Sequence, residues 1–178
     1  DLKLDAKAII KYFNNENNFY CPEIIKCETS NKKFYAINEI VIQGVNTLSC
    51  DVYINKHFYE KFWGSGLCFA TKTGSTGYNK SLGGSILLTR SNIWELTEIS
   101  PLAHAKYLSI KNSLILDGKQ EVEINNFRTN GNVNLANDGF EHKIAEKETF
   151  TLCIIFRSLP IYVKDIGFLK YVLSLSRT

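Results

Sequence analysis

The chain has 178 residues, of which 44% are hydrophobic and 12% aromatic, enough apolar material for one substantial core and unlike the composition of a disordered segment. A formal net charge of +3, with 21 Lys and Arg against 18 Asp and Glu scattered along the chain, gives no basic stripe of the kind that binds nucleic acid, while a small anionic ligand stays compatible. The five cysteines are odd in number and form no CxxC pair, which argues against a disulfide framework or a zinc knuckle, and no apolar run approaches the roughly 20 residues that span a bilayer.

A cytoplasmic location, with no nucleic-acid or membrane partner, is the expectation these features set. The chain opens at Asp1 and contains no methionine, so a portion of a longer product is expected. In chain order, Leu4, Ala8, Ile9, Tyr12 and Phe13 recur at helical spacing and predict a leading helix within residues 1–20, punctuated by Asn14, Asn15, Asn17 and Asn18. From Ile24 to Asp51 the texture becomes β-type, rich in Ile, Val, Phe and Tyr with partial alternation. The run Val52 to Phe58 predicts a hairpin with Asn55 and Lys56 at its tip.

Gly64 to Phe69 predicts a turn leading into a short apolar strand, followed by a glycine-containing bend at Thr71 to Ser75 and a helix from about Ser75 to the Gly83-Gly84 pair. Trp94, Leu96 and Ile99 precede Pro101, which breaks the segment. Further strands are predicted in LSIKNSLIL, QEVEIN, GNVNLAND and HKIAEKETFTLCIIF, separated by turns at Asp117-Gly118, Asn130-Gly131 and Asp138-Gly139. After Pro160, Ile166, Leu169, Val172 and Leu173 predict a helical tail over 160–178. No repeat of about 20 to 50 residues is present. The expected fold class is mainly β: a single antiparallel, sandwich-like domain over 1–178 with a few peripheral helices.

The stretch Ala70 to Ser85, ATKTGSTGYNKSLGGS, crowds small and hydroxylated residues into a bend that feeds a helix. Gly74 and Gly77 let backbone approach a ligand, and Thr71, Thr73, Ser75 and Thr76 offer hydroxyls. A helix start would add unpaired N–H groups, so a phosphate or ribose fits there. The residues equally fit a plain turn with Ser75 or Thr76 as a helix N-cap. His57, His104 and His142 lie far apart without metal-ligand spacing, and Cys68, in the apolar run LCF with no basic neighbour, reads as a packed hydrophobe.

The longer run Gly64 to Gly84, GSGLCFATKTGSTGYNKSLGG, resembles the NAD-binding segment of the NAD kinase family, in which GDG and a short strand precede TPTGSTAY and a small-residue helix ending in a glycine pair. AINEIVI at Ala36 to Ile42 resembles that family's Asn-Glu motif, and NDGFEH at Asn137 its Asp-Gly turn. The resemblance implies a transferase that phosphorylates the 2′-hydroxyl of the adenosine ribose of NAD to give NADP, using ATP with a divalent metal such as Mg. It also implies a homo-oligomer whose site is completed by a neighbouring subunit. Asn38 is implied to hydrogen-bond the dinucleotide and Glu39 to orient the local network, although on the strand pattern alone both residues fit an edge facing solvent. Thr73 and Ser81 are implied to reach the nucleotide with hydroxyls, Thr76 and Gly77 to line its adenine, and Tyr78 to place a ring at the same pocket.

Three departures accompany the likeness. Ser65 replaces the Asp of GDG, a shorter neutral hydroxyl where the resemblance implies a carboxylate at the nicotinamide end. Lys72 replaces Pro, adding a cation, and Gly77 replaces Ala. The GGDG motif of the family's N-terminal α/β domain, whose Asp is implied to take the proton of the 2′-hydroxyl, does not occur in this sequence. We therefore expect a C-terminal, NAD-binding portion with no catalytic residue of its own, ATP being held by the missing domain, and no activity alone. The alternatives are a non-catalytic β-sandwich module that binds a nucleotide or sugar, read from the residues, and the C-terminal domain of a related lipid kinase, implied by the same resemblance.

Overall fold

The computed structural model describes residues 19–20, 23–89, 91–102, 109–144, 148–156 and 161–162. Its strands are β1 (Phe19–Tyr20), β2 (Glu23–Glu28), β3 (Lys33–Ala36), β4 (Glu39–Ile54), β5 (His57–Ala70), β6 (Ile93–Ile99), β7 (Leu114–Asp117), β8 (Glu121–Thr129), β9 (Val133–Asn137), β10 (Phe140–Ile144), β11 (Phe150–Phe156) and β12 (Ile161–Tyr162). Two units make up the chain, residues 23–155 and the terminal segments 1–22 with 156–178. In the terminal unit β1 and β12 pair antiparallel, Phe19 opposite Tyr162. The helices expected over 1–20 and 160–178 otherwise lie outside the described residues.

The larger unit is mainly β, as its composition predicts. One sheet runs β3-β2-β11-β8-β4-β5-β6-β7, and the β9–β10 hairpin joins it along the first half of β4. Every pair whose register is described is antiparallel. The hairpin predicted around Asn55 and Lys56 joins β4 to β5, and both tip residues take positive φ, 50° and 66°, the conformation that a two-residue turn matched to strand twist requires. Turns stand as expected at Asp117-Gly118, Asn130-Gly131 and Asp138-Gly139.

β4 organises the sheet. Residues 40–44 pair with β9 and residues 48–54 with β8, while β5 follows the other edge. Between Gln43, opposite Gly66, and Leu48, opposite Gly64, the register jumps, so residues 44–47 stand across from Ser65 alone. A bulge of this kind bends its strand and raises local twist. On either side of it Ile40, Ile42, Leu48, Cys50 and Val52 enter the same core, with Phe62, Phe69, Trp94, Val122, Ile124 and Phe150. Strands β2 and β3, distant from β4 in the ladder, pack back against it, and β3 also meets β9, which gives the sandwich-like closure.

The helical expectation shrinks. The segment predicted as a helix from Ser75 to Gly84 is a 3-10 turn at Gly74–Thr76 and a single turn of helix, α1, at Tyr78–Ser81. Gly77, at φ −92° and ψ −129°, separates the two. A helix of four residues lacks the aligned peptide units that build a useful dipole, so the expected anion-holding helix start is absent from this bend.

Candidate functional site

The bend after β5 is built on the backbone of Asn38. Thr71, fully buried, donates its N–H to the Asn38 carbonyl at 2.9 Å and its hydroxyl to the Ile37 carbonyl at 2.5 Å. The same hydroxyl accepts the Gly74 N–H at 3.1 Å. Gly74 rests so closely on Asn38 that a Cβ at this position would overlap the Asn38 carbonyl; only glycine permits this approach. Two segments more than thirty residues apart in sequence are thus joined through main chain, and the Asn38 side chain is left exposed.

Glu39 begins β4 beside this junction and is half-buried. Burial first, and then the neighbouring Asp138 carboxylate, raise its carboxyl above the ordinary glutamate value. A Cβ on Gly77 would sit 3.7 Å from Glu39 Oε2 and 3.4 Å from the Gly74 carbonyl, so the bend passes directly over Glu39. Thr73, Gly77, Tyr78 and Ser81 are exposed along the bend and α1, with Tyr78 42% exposed, and Thr76 is half-buried, its hydroxyl donating to the Thr73 carbonyl at 3.3 Å. Asn38 and Glu39 therefore meet the bend that carries Thr73, Thr76 and Gly77 at one junction, and Tyr78 and Ser81 follow directly on α1. Ser65 stands apart from it. It lies six residues before Thr71 on β5, roughly 20 Å away along an extended strand.

Two local expectations change. Lys72 offers no free cation to a ligand: its ammonium pairs with Glu23 Oε1 at 2.7 Å and donates to the Ser91 carbonyl at 2.9 Å. Ser75 is no N-cap. Its hydroxyl donates to the Lys72 carbonyl at 2.7 Å and accepts the Leu87 N–H at 3.0 Å, and no side chain caps either helical turn. The bend is held by tertiary partners.

Beneath α1 lies a buried polar network that the sequence reading passes over. Asn79 is fully buried and donates from Nδ2 to Glu95 Oε2 at 2.8 Å, while its Oδ1 accepts the Thr97 hydroxyl at 2.7 Å. Glu95 Oε1 takes the Ser85 N–H at 2.7 Å, and Thr97 meets the Ser113 hydroxyl at 2.9 Å. Gly84 presses on the Asn79 amide so tightly that a Cβ would overlap it. A satisfied network of this type rigidifies what it supports. The signal for it is faint: Glu95 and Thr97 sit two apart in the strand IWELTEI, where alternation puts them on one face. Past α1, a cavity of about 370 Å³ is lined by Leu82, Gly83, Ser85, Glu98, Lys111 and Ser113 among others; it is bordered by the end of the glycine-rich run, but none of the expected NAD-binding residues lines it.

Cys68 is buried, and burial, followed by the Glu39 and Glu95 carboxylates, pushes its thiol far above the ordinary range, consistent with a packed, inert side chain. His142 meets Asn137 Oδ1 through Nε2 at 2.9 Å, and His57 meets the Asn55 carbonyl through Nδ1 at 2.9 Å; His104 lies outside the described residues. Among the described residues no three His, Cys, Asp or Glu side chains converge as a metal site would need, and no helix is long and apolar enough to cross a membrane.

A family model described as the ATP-NAD kinase C-terminal domain matches residues 36–153. Among curated proteins, the chain is 34% identical over 143 residues to an NAD kinase of Ureaplasma parvum serovar 3, covering 78% of this chain and 53% of that protein. It is 36% identical over 104 residues to an NAD kinase of Mycoplasmoides gallisepticum, covering 57% of this chain and 38% of that protein. The chain thus spans about half, or less, of the length of these relatives. Two solved structures share the fold. Yeast NADH kinase complexed with NADH superposes with a TM-score of 0.74 at 21% identity, covering 96% of this chain and 53% of that one. An Archaeoglobus fulgidus NAD kinase in complex with ATP superposes with a TM-score of 0.72 at 16% identity, covering 97% and 66%.

Proposed function

This chain belongs to the family of ATP-NAD kinase C-terminal domains, and from that premise we propose that it is the dinucleotide-holding portion of an enzyme that phosphorylates the 2′-hydroxyl of the adenosine ribose of NAD to NADP with ATP. The observation that carries the reading is the seating of the Thr71–Gly74 bend on the Asn38 backbone. It brings the exposed Asn38 amide and the Glu39 carboxyl to the bend that leads into Tyr78, which supports a role in holding a dinucleotide.

Each group has a task in this proposal. The Asn38 amide, donor and acceptor at once, hydrogen-bonds the nucleotide, and Glu39 accepts from it or from a neighbouring donor. Tyr78 offers a ring face on which the adenine stacks. Thr76 and Gly77 line the adenine, and Thr73 and Ser81 supply hydroxyls. Ser65, farther along β5, is assigned to the nicotinamide end of the dinucleotide, and a homo-oligomer in which a neighbouring subunit completes the site is part of the proposal. ATP, its divalent metal and the group that takes the 2′-hydroxyl proton are assigned to the GGDG-bearing domain of the longer relatives. The setting proposed is cytoplasmic.

Calorimetric titration of the 178-residue chain with NAD and NADP tests the reading, repeated on Asn38→Ala and Tyr78→Ala. Binding that both substitutions weaken supports it, and indifference to both dinucleotides removes it. With NAD, ATP and Mg the chain alone is expected to yield no NADP; turnover would overturn the assignment of catalysis to another domain.

A further inference from the structure

The β9–β10 hairpin turns through Asp138 at φ 45° and Gly139 at φ 85°, a two-residue turn that Asp and Gly adopt with little strain. Its apex faces a segment about a hundred residues earlier in the chain. Asp138 Oδ2 accepts the Ile37 N–H at 2.8 Å, and Oδ1 accepts the N–H of Asn38 at 2.8 Å and of Glu39 at 3.2 Å. The Asp138 N–H in turn donates to the Glu39 carbonyl at 3.1 Å. Alongside, the Asn137 amide donates to the Tyr35 carbonyl at 2.9 Å, and the His142 ring, which contacts Asn137, packs against Phe34 with centroids 4.9 Å apart.

Three consecutive amides aimed at one point form a nest for an anion, and here the chain fills the nest with its own carboxylate. The opposite side of the same segment is equally occupied, since Thr71 takes the carbonyls of Ile37 and Asn38. Asn38 has both main-chain groups fixed between hairpin and bend, and only its side chain faces solvent. Charge-assisted hydrogen bonds are the stronger kind, and a backbone gripped from two sides leaves Cα–Cβ little freedom to swing.

We propose that Asp138 is a positioning residue for the dinucleotide, acting through Asn38 and Glu39 by fixing the main chain that presents their side chains. The role rests on the dinucleotide reading above and deepens it: the Asp-Gly turn serves the site by its carboxylate as well as by its shape.

Asp138→Asn separates those two services. Asn also takes positive φ readily, so the turn survives, but its NH2 replaces an acceptor and faces amide donors. In this variant the amides of residues 37–39 are expected to exchange with deuterium roughly tenfold faster, about the effect of losing one hydrogen bond to a charged group, while the amide of Ile42 in the core of β4 keeps its rate. Affinity for NAD falls by a similar factor. The double variant Asp138→Asn with Asn38→Ala loses less affinity than the two single losses summed, because part of what Asp138 does runs through the Asn38 side chain. Phe150→Leu, a core change outside the junction, serves as the control for simple destabilisation: it lowers Tm and leaves NAD affinity unchanged. Unaltered exchange at 37–39 overturns the clamp. Wild-type binding with equal binding by Asp138→Asn, or full additivity with Asn38→Ala, overturns the positioning role alone. A wild-type chain that binds neither NAD nor NADP removes the dinucleotide reading and the role together.

Discussion

Alanine in place of Gly74 and alanine in place of Gly77 are the same chemical change three residues apart, and they are expected to differ sharply. At Gly74 the added Cβ would overlap the Asn38 carbonyl, main chain that has no rotamer to escape through. Relief requires the bend to lift off Asn38, which loses Thr71 N–H to Asn38 and Thr71 hydroxyl to Ile37. At about 1 kcal/mol net for each bond, Gly74→Ala costs about 2 kcal/mol, or roughly 4–8 °C in Tm for a chain of this size. At Gly77 the Cβ meets its nearest neighbours at 3.4 and 3.7 Å, ordinary contact distances, so alanine finds room and costs much less than at Gly74, about 1 kcal/mol at most. Thermal unfolding followed by circular dichroism, together with NAD titration, reads both. Gly74→Ala loses stability and dinucleotide affinity, whereas Gly77→Ala keeps its stability. Equal behaviour of the two variants would refute the claim that the bend is moulded on Asn38.

Lys72→Met strips the partner from Glu23, a carboxylate whose side chain is only 4% exposed and whose second oxygen already lacks a hydrogen bond. The expected cost is about 3–5 kcal/mol, measured by urea unfolding, with much of it restored by adding Glu23→Gln; a neutral single variant would contradict the pairing. Burial and the adjacent Glu98 push Glu60 from its ordinary value of 4.5 up to about 8. The folded state therefore keeps a proton that the unfolded chain releases near pH 4.5, so this contribution is complete below pH 4.5 and is lost as pH rises through 8. Tm is expected to decline across that window, and Glu60→Gln to flatten the decline. A Glu60→Gln profile as steep as that of the wild type would exclude this carboxyl as its source.

What could be read from sequence divides by the range of the interaction. The β4–β5 hairpin was legible because Asn55 and Lys56 sit between alternating strands, and the Asp-Gly and Asn-Gly turns because their signals are local. The helix from Ser75 to Gly84 was overextended for the same reason: its residues look like a helix start until the Lys72 carbonyl and Leu87 N–H claim the Ser75 hydroxyl. From sequence Lys72 reads only as a cation added near the bend, because its partner, Glu23, stands on another strand. The neighbourhood of Asn38 and the glycine-rich bend was carried by family resemblance. Periodicity alone left Asn38 on an undecided face, and nothing local to Asp138 says that its carboxylate closes on amides 37–39.

The central claim is that the Asn38–Glu39 segment and the bend from Thr73 to Tyr78 form one dinucleotide site. Amide chemical shifts followed during titration with NADP test it most directly. Resonances of both segments are predicted to move together along a single binding curve, with those of the Ile124 and Phe150 core unmoved. Shifts confined to one segment, or dissociation constants that differ between the two, would contradict it.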